Sequence, residues 1–291
     1  MNSATKHGDI DRYAVIGNPV AHSRSPWIHA RFAEQTGEAV EYGRVLGTIG
    51  AFSADVHAFA QSGGRGMNVT VPFKLDAHAL ADTLTPRAAA AGAVNTLRFD
   101  VGPNAGILGD NTDGIGLVRD IEGNLGVGLR GARVLLLGAG GAARGVVLPL
   151  FDSGLAALSI VNRTVSKAQK LVDHFSDAAH AANVRFSGGG ADCVEAGPYD
   201  VIVNATAGSL DAALPDCDPG AFGPGTLAYD MMYSAEPTVF MRHAQKLGAR
   251  ASDGLGMLVE QAAESFFVWR GVRPESRAVL HALRLELSKK A

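Results

Sequence analysis

The sequence predicts an α/β protein of two domains, and three observations support this expectation. Its 291 residues are about twice the length of a usual domain. Short apolar segments alternate with segments of helical periodicity along most of the chain, which is typical of strand–helix–strand units. The run 133–137 is apolar throughout and ends in a glycine-rich turn, as a parallel strand buried on both faces does.

Residues 1–112 are expected to form a small α/β domain that binds substrate and carries the catalytic groups. Strands that end in turn residues are predicted at 12–16, 42–46 and 66–71, followed by a hairpin of 94–99 with 106–109 across Gly102-Pro103-Asn104. Helices are predicted after Ser25-Pro26, at 51–62 before two glycines, and at 75–91 with an interruption at Pro86. The pairing of these strands is expected to be largely parallel.

Residues 113–245 are expected to form a Rossmann-like, doubly wound nucleotide-binding domain. Helices at 114–125, 141–153 and 166–175 alternate with strands at 133–137, 158–161, 184–186, 201–204 and 226–230. Helical spacing continues at 239–247, 257–270 and 276–289. We expect residues 246–291 to be helices that pack back on the first domain.

Composition and charge exclude several classes of protein. The net charge is −3 and the basic residues are scattered, so no nucleic-acid partner is expected. No apolar stretch approaches the roughly 18 residues that span a bilayer, and residues 1–12 lack the apolar region of a signal peptide. The two cysteines, Cys193 and Cys217, are not spaced as metal ligands. We therefore expect a cytoplasmic protein without a metal site.

The turn Gly138–Ala143 matches the dinucleotide-binding fingerprint in its G-x-G-x-x-A form, between a strand and a helix. Gly138 permits the tight turn, and Gly140 lets the backbone approach a pyrophosphate. The helix that begins at Gly141-Ala142 offers free N–H groups and the positive end of its dipole to the phosphates. The turn predicts a dinucleotide cofactor, and the alternative is a turn whose glycines serve packing alone.

The end of the following strand indicates which dinucleotide is used. NAD enzymes usually place an acidic residue here to bind the ribose 2′-hydroxyl, but this chain has Asn162-Arg163-Thr164 and then Lys167. The planar guanidinium of Arg163 suits a 2′-phosphate, and Lys167 adds a second positive charge. A solvated helix start is the alternative interpretation. The pattern favours NADP.

Polar residues follow the strands of the first domain in four motifs: Gly17–Pro26 with its paired serines, Asn68–Lys74, Gly92–Thr96 and Gly109–Asp113. Ligands bind at this edge of open α/β sheets. In this order, the motifs resemble those of the shikimate dehydrogenase family. The resemblance extends from Gly17 to Trp269 and continues through Gly138–Arg144, Asn162–Thr164, Asn204–Thr206, Tyr233 and Gly254–Gln261.

The resemblance implies a reversible, NADPH-dependent reduction of 3-dehydroshikimate to shikimate in aromatic amino-acid biosynthesis. It implies that Lys74 and Asp113 act together at the substrate carbonyl. The implied substrate contacts are Ser23, Ser25, Thr70, Asn95, Tyr233 and Gln261. Gly254 and Met257 are expected near the nicotinamide, whereas His22 and His29 match no residue that the family uses in chemistry.

The residue types suit this reaction. Hydride reduction of a ketone leaves an alkoxide, which a lysine can protonate or stabilise. Hydroxyl and amide side chains suit an anionic polyol, because each ligand hydroxyl needs a partner once water is excluded. The division of roles between Lys74 and Asp113 stays open. Structural roles are the alternatives, with Lys74 as a surface lysine and Asp113 as a helix cap.

Two segments depart from the family's common pattern. Ala207-Gly208-Ser209 follows the Asn-Ala-Thr motif where serine is common, and Ser234-Ala235 replaces Asn-Pro after Tyr233. Both departures bear on the expected cofactor contacts rather than on Lys74 and Asp113.

Other functions and assemblies stay open. A dual quinate/shikimate dehydrogenase shares the fold and the lysine–aspartate pair. A folate-linked dehydrogenase has a similar layout but lacks the paired serines. A non-catalytic sensor of NADPH or another ligand would not need to retain Lys74 and Asp113. A monomer and a homodimer fit the sequence equally well.

Overall fold

The computed structural model describes residues 10–100, 102, 105–206 and 214–289. The chain divides into two compact units. The first contains residues 1–89, 93–112 and 262–279, and the second contains residues 90–92, 113–261 and 280–291. The segment 1–9, two residues of the predicted hairpin turn (Pro103 and Asn104) and the departure at Ala207-Gly208-Ser209 lie outside the described residues.

The first unit is built on a six-stranded sheet. Its strands are β1 (Asp11–Gly17), β2 (Val40–Leu46), β3 (Gly64–Val69), β4 (Thr83–Leu84), β5 (Thr96–Asp100) and β6 (Gly106–Asp110), in the spatial order β2-β1-β3-β5-β6-β4. Strand β1 is parallel to β2 and β3, whereas β5 is antiparallel to β3 and β6. The sheet is therefore mixed, because β5 and β6 form the predicted hairpin and a short turn permits only antiparallel pairing.

Helices cover this sheet and begin where the sequence carries start signals. They are α1 (Ser25–Thr36), α2 (Phe52–Gln61), α3 (Lys74–Leu80) and α4 (Pro86–Ala91). The segment 75–91, predicted as helical with an interruption at Pro86, contains two helices with β4 between them. Pro86 is the first residue of the second helix, where proline is favoured. The buried apolar residues of this unit include Ile16, Met67 and Leu97.

The second unit contains six parallel strands in the doubly wound order. They are β7 (Arg133–Leu137), β8 (Ala157–Val161), β9 (Arg185–Gly189), β10 (Val201–Asn204), β11 (Leu227–Asp230) and β12 (Arg250–Asp253). Their spatial order is β9-β8-β7-β10-β11-β12. The order reverses between β7 and β10, which is the point where such sheets bind ligands at the carboxyl ends of their strands.

Helices pack on both faces of the parallel sheet. They include α5 (Asp113–Arg119), α6 (Gly141–Asp152), α7 (Val165–Ala181) and α8 (Val239–Lys246). Val146 and Leu150 of α6 lie fully buried in a cluster with alternate residues of β7 and β10. All four residues of β10 and the last four of β7 are buried, which explains their continuous apolar sequence.

The second unit does not end at residue 245, where its boundary was expected. Residues 246–261 and 280–291 belong to the second unit, and only 262–279 belong to the first. The reason is β12, which extends the second sheet by pairing with β11. Two long helices follow, α9 (Leu255–Arg270) and α10 (Ser276–Ser288). Within the described residues, no helix is long and apolar enough to cross a membrane.

Candidate active site

Polar residues of the first unit collect at one edge of its sheet. The carboxyl ends of β1, β3 and β6 meet the amino end of the antiparallel β5 there, since Asn68 pairs with Thr96 and Thr96 pairs with Asp110. Five residues predicted for the site follow or precede these strand ends: Ser23, Ser25, Thr70, Lys74 and Asn95.

Lys74 is the first residue of α3, and packing fixes where this helix starts. The preceding Phe73 is 2% exposed and stacks on Phe52 at 5.1 Å between ring centroids. The carbonyl oxygen of Lys74 accepts a hydrogen bond of 2.9 Å from the backbone N–H of Val94. The half-buried lysine is therefore held near the carboxyl end of β3 by the hydrogen bond of its own carbonyl group and by the packing of Phe73.

The buried Asn95 joins the start of β5 to the end of β6. Its Nδ2 donates to Thr112 Oγ1 at 3.0 Å, and its Oδ1 accepts from the backbone N–H of Thr112 at 2.9 Å. Its carbonyl oxygen accepts from the N–H of Val69 at 2.8 Å. These bonds fix the direction of an amide that the sequence predicted to contact substrate.

A second buried amide, that of Asn68, lies beside it and was not predicted. Asn68 Oδ1 accepts from the Tyr42 hydroxyl at 2.7 Å and lies 3.2 Å from His29 Nε2. Its Nδ2 donates to Ser265 Oγ at 2.9 Å and to Thr96 Oγ1 at 3.2 Å. The asparagine thus connects β3 with α1, β2, β5 and α9.

His29 is fully buried, and its imidazole stacks on the Tyr42 ring with centroids 4.2 Å apart. Burial disfavours the imidazolium and lowers the pKa of His29 to about 3, opposed only by the hydrogen bond with Asn68. Burial also raises the pKa of the Tyr42 hydroxyl. Both groups are therefore neutral at physiological pH.

An ion pair fixes the end of β6. Arg87 donates to both carboxylate oxygens of Asp110, at 2.7 and 2.6 Å, and also to Glu264 at 3.0 Å. Asp110 is 1% exposed, and its Oδ1 also accepts from the backbone N–H of Asn111 at 2.7 Å. The motif at the end of this strand is held by a bidentate pair, which sequence inspection did not identify as structural.

In the second unit, the glycine-rich turn lies at the carboxyl end of β7. Gly138 has a φ of +106°, which favours glycine, and a Cβ there would be in tight contact with Thr206 Cγ2 at 3.0 Å. For Gly140 and Gly141 no atom lies within 4 Å of an added Cβ. Since the protein's own packing does not exclude a side chain at these two positions, the open space before α6 fits a pyrophosphate.

Asn162 links this turn to the end of β8. Its Oδ1 accepts from the backbone N–H of Ala139 at 3.1 Å, and its Nδ2 donates to the carbonyl oxygen of Thr164 at 2.9 Å. Arg163, Thr164 and Lys167 are exposed. The two basic side chains thus lie in solvent next to the turn, and no acidic residue lies between positions 161 and 167.

Asp230 organises the ends of β10 and β11. It is fully buried and accepts from Asn204 Nδ2 at 3.2 Å, from the N–H of Met232 at 3.1 Å and from Thr238 Oγ1 at 2.6 Å. Asn204 Oδ1 in turn accepts from the Thr206 hydroxyl at 2.7 Å. Polar residues after these strands are therefore fixed by a carboxylate that the sequence analysis missed.

The start of α9 is held by a buried pair of Asp120 and Tyr229. The Tyr229 hydroxyl donates to Asp120 at 2.6 Å and accepts from the backbone N–H of Met257 at 3.3 Å. Asp120 begins the π-helical turn Asp120–Asn124, a feature common at functional sites. Burial raises the pKa values of both Asp120 and Tyr229. The predicted helix 114–125 ends in this turn.

The remaining predicted residues belong to the second unit. Asp113 is the first residue of α5, and the partly buried Tyr233 follows β11. Gln261 lies on α9 and donates to the carbonyl oxygen of Leu258 at 2.8 Å. The backbone N–H of Gly254 donates to the carbonyl oxygen of Met232 at 3.0 Å. Across the described residues, no group of three or more His, Cys, Asp or Glu side chains could hold a metal ion.

Sequence comparisons match the chain to three parts of one family. Residues 15–97 match the shikimate dehydrogenase substrate-binding domain, 121–210 match shikimate/quinate 5-dehydrogenase, and 254–284 match the shikimate 5′-dehydrogenase C-terminal domain. The NADP⁺-dependent shikimate dehydrogenase of Cupriavidus pinatubonensis is 55% identical, and the match covers 99% of this chain and 98% of the relative.

Solved structures agree with this match. The Ael1 enzyme of Pseudomonas putida has a TM-score of 0.87 at 46% identity, over 94% of this chain and 98% of that one. Shikimate 5-dehydrogenase of Thermus thermophilus, in complex with NADP(H) and shikimate, has a TM-score of 0.81 at 32% identity. That match covers 95% of this chain and 100% of the Thermus chain.

Replacement of Gly256 tests how closely α9 packs on the buried pair of Asp120 and Tyr229. In Gly256→Ala the added Cβ would lie 1.9 Å from Asp120 Oδ1, so the aspartate and Tyr229 must move. We expect a loss of about 1–3 kcal/mol in the unfolding free energy, measured by urea titration with far-UV circular dichroism. Gly123→Ala is the control, because no atom lies within 4 Å of its Cβ. Equal unfolding midpoints for the two variants would contradict the packing argument.

His29 predicts an acid-dependent loss of stability in the first unit. Its pKa is about 3 in the folded protein and near 6.5 when unfolded, so the unfolded chain binds the proton more tightly. The contribution of neutral His29 to the free energy of unfolding is therefore fully present above about pH 6.5, and it decreases as the pH falls towards 3. Between pH 6.5 and 4.5, protonation of His29 in the unfolded chain should lower the free energy of unfolding by about 2–3 kcal/mol. The variant His29→Gln should not show this loss.

Tryptophan fluorescence in urea would measure this loss, since both tryptophans, Trp27 and Trp269, belong to the first unit. The pH dependence of the unfolding midpoint is compared between the wild type and His29→Gln. Parallel pH profiles for the two proteins would show that His29 does not titrate on unfolding.

Proposed function

Because this chain belongs to the shikimate dehydrogenase family, we infer that it is an NADP-dependent shikimate dehydrogenase. It catalyses the reversible reduction of 3-dehydroshikimate to shikimate, a step of aromatic amino-acid biosynthesis. The observation that carries this function is the joint presence of Lys74 at the start of α3 and of the basic pair Arg163 and Lys167 after β8. The first suits carbonyl reduction and the second suits a 2′-phosphate.

Lys74 and Asp113 are proposed as the groups that handle the proton at the substrate carbonyl. NADPH supplies the hydride when it is bound. The carbonyl oxygen gains negative charge as the hydride arrives, and the Lys74 ammonium can stabilise that charge or donate a proton to it. Asp113 is proposed to orient the ammonium and to share the proton. In the reverse direction the same pair accepts the proton of the shikimate hydroxyl.

Hydroxyl and amide groups are proposed to bind the rest of the substrate. The residues are Ser23, Ser25, Thr70, Asn95, Tyr233 and Gln261. The fixed amide of Asn95 supports its assignment, because a donor and an acceptor held in one direction can recognise a ligand hydroxyl without first being ordered. The serines supply neutral donors for a carboxylate.

The nucleotide is proposed to bind at the end of the parallel sheet. Gly138, Gly140, Gly141 and Ala142 would surround the pyrophosphate, with Gly254 and Met257 near the nicotinamide. Asn162 would hold the turn, as its two hydrogen bonds support. Arg163, Thr164 and Lys167 would bind the 2′-phosphate. Each contact is a proposal that rests on the family and on the placement of these residues at strand ends.

Lys74→Ala tests the catalytic assignment. We expect kcat for shikimate oxidation with NADP to fall by at least about 100-fold, the size of a general acid–base contribution, with folding retained. The assay follows reduced nicotinamide at 340 nm, and Lys170→Ala, which removes an exposed lysine of α7, is the control. Unchanged turnover in Lys74→Ala would remove Lys74 from the chemistry, and no turnover in the wild type would contradict the function itself.

Arg163→Ser tests the choice of cofactor. Loss of a charge-assisted contact with the 2′-phosphate should raise the KM for NADPH about 10- to 100-fold and change the KM for NADH less than about 3-fold. Arg185→Ser is the matched control, because Arg185 lies at the amino end of the neighbouring strand β9. Equal effects of Arg163→Ser on the two cofactors would exclude this residue as the phosphate ligand.

Dual activity on quinate is the second candidate, because the central match of this chain is to shikimate/quinate 5-dehydrogenase. Quinate carries an extra hydroxyl on the carbon that bears the carboxylate, so it needs more room near Ser23 and Ser25. Assays of quinate and shikimate, each with NADP and with NAD, separate the two functions. The substrate is in either case a small molecule. We expect a cytoplasmic enzyme that is either a monomer or a homodimer.

A further inference from the structure

Arg44, on the edge strand β2, carries a positive charge to the paired serines. Its Nη2 donates to the carbonyl oxygen of Ser23 at 2.7 Å. Arg44 lies opposite Val15 of the parallel strand β1, two residues before the carboxyl ends of both strands. The guanidinium is therefore held at the edge of the first sheet where the substrate is expected, although Arg44 is absent from the residues that the resemblance implies for the site.

The protein does not neutralise this charge. A guanidinium has five N–H donors, and the bond to Ser23 uses one of them. Within the described residues, the side chain of Arg44 forms no ion pair and no other hydrogen bond. Glu41, the acidic residue of the same strand, lies on the opposite face because successive side chains alternate. The exposed guanidinium thus keeps donors and charge for a ligand.

The two serine hydroxyls lie together beside this charge. Ser23 Oγ donates to Ser25 Oγ at 3.2 Å and accepts from the backbone N–H of Ser25 at 3.3 Å. Both hydroxyls are neutral donors, and a carboxylate bound by neutral donors alone gains less than one that also faces a cation. Because Arg44 is bonded to the backbone of Ser23 itself, its guanidinium is close to any anion that this pair of hydroxyls binds.

We propose that Arg44 is a further substrate-binding residue, which supplies the positive charge for the carboxylate at Ser23 and Ser25. The charge attracts the anion as it approaches and stabilises it once bound. This inference rests on the proposed function, in which the substrate is an anion and the two serines contact its carboxylate. Arg44 takes no part in the transfer of the proton or the hydride.

The test compares Arg44→Gln with Arg44→Lys in the full-length enzyme at saturating NADP. We expect Arg44→Gln to raise the KM for shikimate about 5- to 20-fold, with kcat within about 2-fold and the KM for NADP unchanged. Arg44→Lys keeps the charge, so its KM should stay within about 3-fold of the wild type. Arg12→Gln is the matched control and should change nothing, because the exposed Arg12 also donates to a backbone carbonyl, that of Ser62 at 2.9 Å, but near the amino end of β1.

Two further measurements report the charge itself. Raising the ionic strength from about 0.02 to 0.5 M should lower kcat/KM for shikimate in the wild type, and lower it less in Arg44→Gln, because salt screens the attraction. Methyl shikimate carries a neutral ester in place of the carboxylate. Its inhibition constants for the wild type and Arg44→Gln should therefore agree within about 2-fold.

An unchanged KM for shikimate in Arg44→Gln, or parallel salt dependences of this variant and the wild type, would overturn the proposal. An equal loss for the acid and the ester would also overturn it, because a merely structural role affects both ligands alike. A charge-specific loss in Arg24→Gln alone would assign the charge to the basic residue between the two serines. By contrast, an unchanged KM in Ser23→Ala would contradict the serine contact, and no shikimate turnover in the wild type would contradict the function.

Discussion

The amide of Asn68 is the buried group that joins the polar edge of the first unit. Its two ends contact side chains from α1, β2, β5 and α9, and the amide has one direction that satisfies all of them. A buried network of this kind stabilises one arrangement only when every member has its partner. The arrangement of the polar residues at this end of the first sheet therefore depends on a side chain that is not among the predicted substrate contacts.

Much of the fold could be predicted from the sequence, because its strongest signals are physical requirements of single elements. Strand β7 is buried on both faces and must be apolar, and the positive φ of Gly138 favours glycine. Strand β12 was missed because its sequence, Arg-Ala-Ser-Asp, has no apolar pattern, and it forms by pairing with β11. The same strand explains why residues 246–261 belong to the second unit.

The site residues divide in a similar way. Lys74, Asn95 and Arg163 follow recognisable motifs, so their positions at strand ends could be predicted. The groups that support them could not, because Asn68, Asp230 and Asp120 are identified by partners far away in the sequence. Tyr229 lies 109 residues from Asp120, and the short hydrogen bond between them leaves no local pattern. The periodicity of a sequence predicts which side chains are buried, whereas the partner of a buried polar group can be identified only from the three-dimensional structure.

The two glycines at the start of α6 have a consequence for the enzyme without its cofactor. Glycine is a poor helix former, and no atom lies within 4 Å of a Cβ added at Gly140 or Gly141. The polypeptide thus leaves open space beside the first turn of α6, and a bound nucleotide would fill that space from outside. Folding and cofactor supply are then thermodynamically linked, so that the lifetime of the protein in a cell would depend on how much nucleotide the cell holds.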